Sequence, residues 1–382
     1  MKVAYYAANM QGLTWVKPVH DLTGGALCTD RETTFNDARQ MWPQARVLMF
    51  EAGSKWSLRR TRGESKTTLS QREDHVQLAE IARREQPDVI VTTANFPHYI
   101  RRSGLGAWRQ GGALPHVKQV QMFHGISSKH NKFKPFMANY DLLLFVGERD
   151  KQRFERLGVL GKTRWRLIGL PRSDRIARGE VTRDAMLQTL GLPLRPTVLY
   201  APTHGALSSF FEWGRDICEA VPGECNLIIK PHPLIARAVE SGTGDSAMWN
   251  ALHEYSLQRE GTLFLGEANV ELQHVMAAAD VLVTDFSSAA EEFLIFNRPL
   301  VFANHLASSG YHLTRGEWDE IQSCGQVVTD KQKLPHAISD TLQNPQQHEA
   351  QRMHMRDHVY HHVDGRAAER ASQALVDLVG QR

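Results

Sequence analysis

The sequence predicts an α/β fold made of two Rossmann-like, doubly wound domains, and three observations predict it. At 382 residues the chain exceeds the roughly 250–300 residues at which a single core stops growing. Short apolar or β-branched runs alternate along it with stretches of helical periodicity, the pattern of parallel sheets covered by helices. The run Val281-Leu282-Val283 passes into Thr284-Asp285-Phe286-Ser287-Ser288 and then straight into helix-forming residues, as a buried parallel strand does when it ends at a phosphate seat.

In the first half, strands are expected at Lys2 to Ala7, Arg46 to Phe50, Asp88 to Thr92, Val117 to Phe123, Leu142 to Val146 and Arg164 to Gly169. Between them, Ser70 to Glu85 carries Val76, Leu78, Ala79, Ile81 and Ala82 at partly helical spacing. The polar, proline-containing segment Gly179 to Pro196 marks the boundary. In the second half, strands are expected at Thr197 to Ala201, Asn226 to Ile229, Thr262 to Leu265, Val281 to Thr284, Leu300 to Phe302 and Gln326 to Val328. Helices are expected around Phe210 to Ala220, Val270 to Ala278, Ala289 to Phe296 and Leu334 to Leu342. The domains are therefore placed at 1–180 and 181–345, with 346–382 a helical tail crossing back to the first. Tandem domains of this kind imply an interdomain cleft, and open α/β sheets bind ligands at the carboxyl ends of their strands. His124, His204, His232 and Asp285 all fall just past such ends.

Composition narrows the class. Hydrophobic residues at 42% and charged residues at 23% are those of a soluble globular protein, and no apolar run approaches the ~20 residues of a spanning helix. Met1-Lys2-Val3-Ala4-Tyr5-Tyr6 enters a strand pattern without the features of a signal peptide, so a cytoplasmic location is expected. Cys28, Cys218, Cys225 and Cys324 show no C-x-x-C spacing, which points to reduced thiols rather than a zinc site or a disulfide framework. A net charge of +3 is too mild for a nucleic-acid binder. The local clusters Arg59, Arg60, Arg62, Lys66 and Lys129, Lys132, Lys134 fit a solvated face or a surface near anionic lipid or a polyanionic acceptor. His354, His358, His361 and His362 lie in a polar segment and read as surface histidines, and no metal is assigned.

Three motifs carry chemistry. Ser287 and Ser288, with the backbone N–H groups of the helix that follows, can neutralise a pyrophosphate; the plainer alternative is helix capping by one serine. Glu291 and Glu292 fall in that helix's first turn, where either could accept from ribose hydroxyls. Lys230-Pro231-His232-Pro233 closes an apolar strand, with prolines fixing the histidine, whose protonated imidazole could steady a departing phosphate, and Lys230 adding a second positive charge. In Phe123-His124-Gly125, Gly125 permits a sharp turn and close substrate approach, leaving His124 as candidate general base.

Taken together, the chain resembles the CDP-glycerol glycerophosphotransferase family, which makes teichoic acids and related capsule polymers. The resemblance runs from residue 120 to 370 through His124-Gly125 with Lys129, Gly169-Leu170-Pro171-Arg172-Ser173-Asp174, Tyr200-Ala201-Pro202-Thr203, Lys230-Pro231-His232-Pro233, Thr284-Asp285-Phe286-Ser287-Ser288, Asn297-Arg298-Pro299 and Asp364-Gly365-Arg366-Ala367-Ala368-Glu369-Arg370. It implies a GT-B-type fold in which the first domain recognises the acceptor and the second holds the nucleotide donor. The implied donor is CDP-glycerol or another CDP-polyol, with no cofactor, and the implied acceptor is a lipid-linked or polymeric saccharide met at the inner face of the membrane. By the same resemblance His124 would deprotonate the acceptor hydroxyl and His232 would assist departure of CMP. Lys230, Asp285, Ser287, Ser288, Glu292, Thr203 and His204 would surround the donor, and Gly125 and Arg172 would order the cleft. The chain departs from the family at His204-Gly205-Ala206, where an aromatic and a basic residue are usual, and at Phe286, where tyrosine is more typical. A GT-B glycosyltransferase using a nucleotide sugar, and a catalytically silent nucleotide-binding scaffold, are the alternative readings.

Overall fold

The computed structural model describes residues 1–50, 80–93, 117–123, 140–266, 271–307 and 317–380. The chain divides into two compact units. The first takes residues up to Asp174 and returns from Val359 onward; the second runs from Arg175 to His358.

Each unit is built on one parallel sheet. In the first, the strands β1 (Val3–Tyr6), β2 (Ala26–Thr29), β3 (Val47–Met49), β4 (Val89–Thr92), β5 (Lys118–Met122), β6 (Leu142–Phe145) and β7 (Arg164–Leu167) lie in the order β3-β2-β1-β4-β5-β6-β7. In the second, β8 (Thr197–Tyr200), β9 (Asn226–Ile229), β10 (Thr262–Phe264), β11 (Val281–Thr284), β12 (Leu300–Ala303) and β13 (Gln326–Val328) lie in the order β10-β9-β8-β11-β12-β13. Every pairing is parallel. Most inner strands read as largely apolar runs because helices cover both faces: Val-Ala-Tyr-Tyr of β1, Leu-Leu-Leu-Phe of β6 and Val-Leu-Val-Thr of β11 are buried at every residue, whereas the inner strand β5 buries Gln119 and Gln121. The edge strands β3, β7, β10 and β13 are only partly buried.

Strand β2 and the helices Arg183–Thr189, Pro233–Glu240, Ser246–Gln258 and Glu317–Gln322 are elements that differ from expectation. Strand β2 has no β-branched residue before Thr29 and carries little intrinsic strand signal. It forms because Ala26, Leu27 and Cys28 are buried beside β1, and Gly25 (φ 110°) lets the chain pass where a Cβ would stand 2.1 Å from the Val3 carbonyl oxygen. The segment Gly179 to Pro196 holds a helix, Arg183–Thr189, whose N-cap Thr182 accepts from the Ala185 N–H at 3.3 Å. Of the expected helix Ser70 to Glu85, residues 80–85 are helical and the rest lie outside the described residues.

The last helix, Ala367–Gly380, is fastened into the first unit by motif residues. The Asp174 carboxylate is buried and accepts from the Ala367 and Ala368 N–H groups at 2.9 and 2.8 Å, satisfying the orphan donors of the helix start. Arg370 donates to the Ile168 carbonyl at 2.8 Å and to both Asp364 oxygens at 3.0 and 2.8 Å, and this guanidinium holds the Asp364 carboxyl down at about 2. Gly169 sits between them at φ +84°, where a Cβ would come within 2.8 Å of the His361 carbonyl oxygen and 3.0 Å of the Arg370 guanidinium. Gly169→Ala is therefore expected to lower stability by about 1–3 kcal/mol through strain and displacement of Arg370; a thermal melt equal to wild type would disprove the fastening.

Candidate active site at the strand ends of the second unit

In the second sheet the chain order reverses between β8 and β11, which makes the carboxyl ends of these two strands the switch point where open sheets bind ligands. The segments after β8, β9 and β11 carry Thr203-His204, Lys230-Pro231-His232 and Asp285-Phe286-Ser287-Ser288. Since β9, β8 and β11 are consecutive in the sheet, topology gathers these three expected segments at one edge.

Half of the Thr-Asp-Phe-Ser-Ser motif fastens the loop after β8. The Thr284 hydroxyl donates to the Ala201 carbonyl at 2.7 Å. The Asp285 carboxylate, 2% exposed, accepts from the Thr203 N–H at 2.8 Å through one oxygen, and from the Ser209 N–H and hydroxyl at 2.7 and 2.9 Å through the other. Because the Ser209 hydroxyl gives its proton to Asp285, the Tyr200 phenol 2.9 Å away must be the donor to Ser209. Burial holds that phenol well above its usual pKa, with the Asp285 charge acting the same way. Ser208 closes the loop, donating to the Thr203 carbonyl at 2.8 Å. Asp285 thus places Thr203 and His204; an ionised carboxylate cannot donate to a phosphate itself. Ser208 and Ser209 escape sequence reasoning, and Tyr200 enters it only as part of a motif with no role given, although a serine pair just before the amphipathic helix Phe210–Glu219 is a readable cap signal.

The other half of the motif leads into a short helix, Ala289–Phe293, which continues as a 3₁₀ turn through Phe296. The Ser287 hydroxyl accepts from the Ala289 N–H at 3.3 Å, one residue outside the N-cap Ser288, which makes no side-chain cap bond, and the Ser287 hydroxyl keeps its proton to donate. Ser287 is buried, Ser288 half-buried, and Glu291 and Glu292 are both buried.

After β9 the chain places Lys230 in the interior, 4% exposed, with its N–H bonded to the Tyr200 carbonyl at 2.9 Å. His232 is the N-cap of the helix Pro233–Glu240, and Pro233 occupies the first helical position, where its missing N–H costs nothing. The His232 Nδ1 accepts from the Leu234 N–H at 3.1 Å. This differs from the charged imidazole expected from the sequence: an accepting Nδ1 carries no proton, so the ring is neutral and its proton sits on Nε2. His204 lies against it, ring centroids 4.2 Å apart and planes 34° apart, a spacing at which two imidazolium charges would repel. The departure at position 204 is thus filled by a ring that packs on His232.

The remaining expected residues divide. Arg172 stacks over the Trp15 ring, 4.5 Å from its centroid, inside the first unit. Arg298 donates to the Ala277 and Ala279 carbonyls at 2.7 and 2.6 Å, closing the end of the helix Leu272–Ala278. His124 and Gly125 lie outside the described residues, as do the basic clusters 59–66 and 129–134. Among the described residues, no helix is long and apolar enough to cross a membrane.

Comparison with known proteins follows the same lines. A family model described as CDP-Glycerol:Poly(glycerophosphate) glycerophosphotransferase matches residues 31–377. The teichoic acid glycerol-phosphate primase of Bacillus subtilis (strain 168) is 22% identical over 244 residues, 61% of this chain and 58% of that protein. That of Bacillus spizizenii is 21% identical over 220 residues, 56% of this chain and 53% of its own length. The aligned region thus spans little more than half of these curated relatives. Among solved structures, the wall teichoic acid polymerase TagF aligns with all of this chain and 89% of its own at 15% identity and a TM-score of 0.61. The UDP-GlcNAc 2-epimerase from Neisseria meningitidis bound to UDP-GlcNAc aligns over all of both chains at 11% identity and a TM-score of 0.63. The likeness to these structures is one of fold, GT-B-like with two parallel α/β sheets.

Proposed function

Because this chain belongs to the CDP-glycerol:poly(glycerophosphate) glycerophosphotransferase family, we propose that it transfers glycerol phosphate from CDP-glycerol to an acceptor hydroxyl in building a cell-surface polymer of the teichoic-acid kind, releasing CMP. The observation that carries this reading is the convergence of Thr203-His204, Lys230-His232 and Ser287-Ser288 on the switch point of the second sheet.

In the proposed reaction the acceptor oxygen attacks the glycerol-bearing phosphorus. A new P–O bond forms, the bond from that phosphorus to the bridging oxygen breaks, and its electron pair leaves with CMP. Such a transfer asks the protein mainly for position and charge. The buried Lys230 supplies fixed positive charge, the His232 Nε2–H donates to a pyrophosphate oxygen, and the Ser287 and Ser288 hydroxyls donate to the same group. His124 is the proposed base that takes the acceptor's proton, and Glu292 the proposed ribose acceptor. Arg172, stacked on Trp15, is proposed to act as a positioning residue. The acceptor is proposed to be a lipid-linked or polymeric saccharide reached at the inner membrane face; the family and the basic stretches of the sequence support this step.

CMP release from CDP-glycerol, CDP-ribitol and a panel of nucleotide sugars, with membrane extract as acceptor, tests the reading. CMP release with a phosphodiester product is expected; turnover of a nucleotide sugar alone would overturn it in favour of a glycosyltransferase. The Ser287→Ala/Ser288→Ala pair is expected to weaken CDP binding by about 1–3 kcal/mol in calorimetry. A pair that lowered the melting temperature and left CDP affinity unchanged would reduce these serines to helix caps.

A further inference from the structure

The second unit has a cavity of about 520 Å³ at the opposite end of its sheet from the site above. Its walls include Pro196, Asp280 and Pro299, the residues just before β8, β11 and β12. Strands of four residues put it roughly 13 Å from their carboxyl ends. Four guanidinium groups line it, Arg183, Arg195, Arg298 and Arg352, against two carboxylates, Asp280 and Glu349.

How each charge is engaged decides what the cavity can hold. Arg183 is neutralised by a two-pronged pair with Asp280, both bonds 2.9 Å, and also meets the exposed Asp184 at 2.9 Å. Arg195 meets Glu260 at 2.9 Å, a pair whose acid is 82% exposed and therefore well screened. Arg298 and Arg352 are directed toward main-chain carbonyls: Ala277 and Ala279 for the first, Gln347 and Pro345 for the second. Carbonyl oxygens orient a guanidinium but do not cancel its charge. Glu349 is turned to the side-chain amide of Asn297 at 3.0 Å. Burial pushes the pKa values of both Arg298 and Arg352 down, with Asp280 and Glu349 respectively opposing the fall and Arg183 adding to it at Arg298. Arg298 thus lines a space within the range that takes a small ligand, with Arg352, 1% exposed, just behind its wall, and the lining residues carry four cations against two carboxylates, the exposed Asp184 and Glu260 lying outside it beside Arg183 and Arg195.

We propose that this cavity is a second anion site, separate from the donor site, that takes a phosphate or phosphodiester group. Two sources share that chemistry, free phosphate and the phosphodiester chain that the proposed function would make; only the second source rests on that function. A chain held here would keep polyanionic product on the enzyme between transfers.

The test is calorimetric titration of the whole protein, saturated with CMP, with inorganic phosphate, with a short glycerol phosphate oligomer, and with glycerol as neutral control. Gln346 is exposed on the cavity wall, so Gln346→Glu adds one negative charge without touching any guanidinium. At a separation on the order of 7 Å and an effective dielectric near 40 that charge should weaken binding about sevenfold per unit negative charge on the anion, and so roughly ten- to fiftyfold for inorganic phosphate. Arg195→Gln, which removes only a screened pair, should act in the same direction, and melting temperatures near wild type show that both variants fold. Phosphate binding that falls in both variants supports the site, and tighter, equally sensitive oligomer binding identifies the polymer as its source. No phosphate or oligomer binding, or binding indifferent to both variants, overturns it. Because binding is read without turnover, a protein that passes here and releases no CMP from CDP-glycerol would sink the proposed function and leave the anion site standing.

Discussion

Asp285→Ala is expected to be the most destabilising single change at the strand-end site, costing about 2–5 kcal/mol. Truncation removes the acceptor for the Thr203 and Ser209 N–H groups, and each buried, unpaired donor costs about 1–3 kcal/mol. The Ser209 hydroxyl keeps Tyr200 as a neighbour and adds less. Asp285→Asn should fall between, because its amide oxygen can serve Thr203 or Ser209 while its NH₂ faces the other donor. Urea unfolding followed by tryptophan fluorescence should rank wild type above Asn and Asn above Ala. CMP affinity should drop with them, since Thr203 and His204 lose the carboxylate that places their loop. An Ala variant as stable as wild type would mean that water or a shifted loop satisfies these donors at little cost.

The same bonds explain which parts of the molecule were legible in the sequence. Most inner strands were readable because burial on both faces leaves an apolar run, as in Leu227-Ile228-Ile229 and Val281-Leu282-Val283. Strand β2 was not, because its four buried residues gain their environment from β1 and from the close passage at Gly25, neither of which is a local property. Motif reading located Asp285 and His232 but could not separate reacting groups from fasteners. Asp285 holds a loop whose far end, Ser209, is 76 residues earlier in the chain, and Asp174 caps a helix that begins 193 residues later. In both cases a carboxylate standing in a signature motif spends its oxygens on main-chain N–H groups, so the motif records a folding requirement as well as a chemical one. Arg298, in the Asn-Arg-Pro motif, does the same for the carbonyls that end a helix.

At His232 the fastener and the proposed reacting group coincide, and two substitutions should pull these roles apart. Its Nδ1 closes the start of the Pro233–Glu240 helix by accepting from Leu234, while the proton this forces onto Nε2 is the one available to a pyrophosphate oxygen. Asparagine is among the best N-cap residues, and its carbonyl oxygen can take over the Leu234 N–H. It is too short to carry a donor to where Nε2 stands. His232→Asn is therefore expected to melt close to wild type, whereas His232→Ala, which loses the cap as well, should be less stable by about 1 kcal/mol. Both should lose about 10²–10³-fold in kcat/KM for CMP release, the effect of removing one preorganised donor to developing charge. The contrast is what tests the assignment. Turnover retained in the Asn variant and lost in Ala would show that the helix start, and not Nε2, is what the reaction needs from this position; turnover retained in both would remove His232 from the donor site altogether.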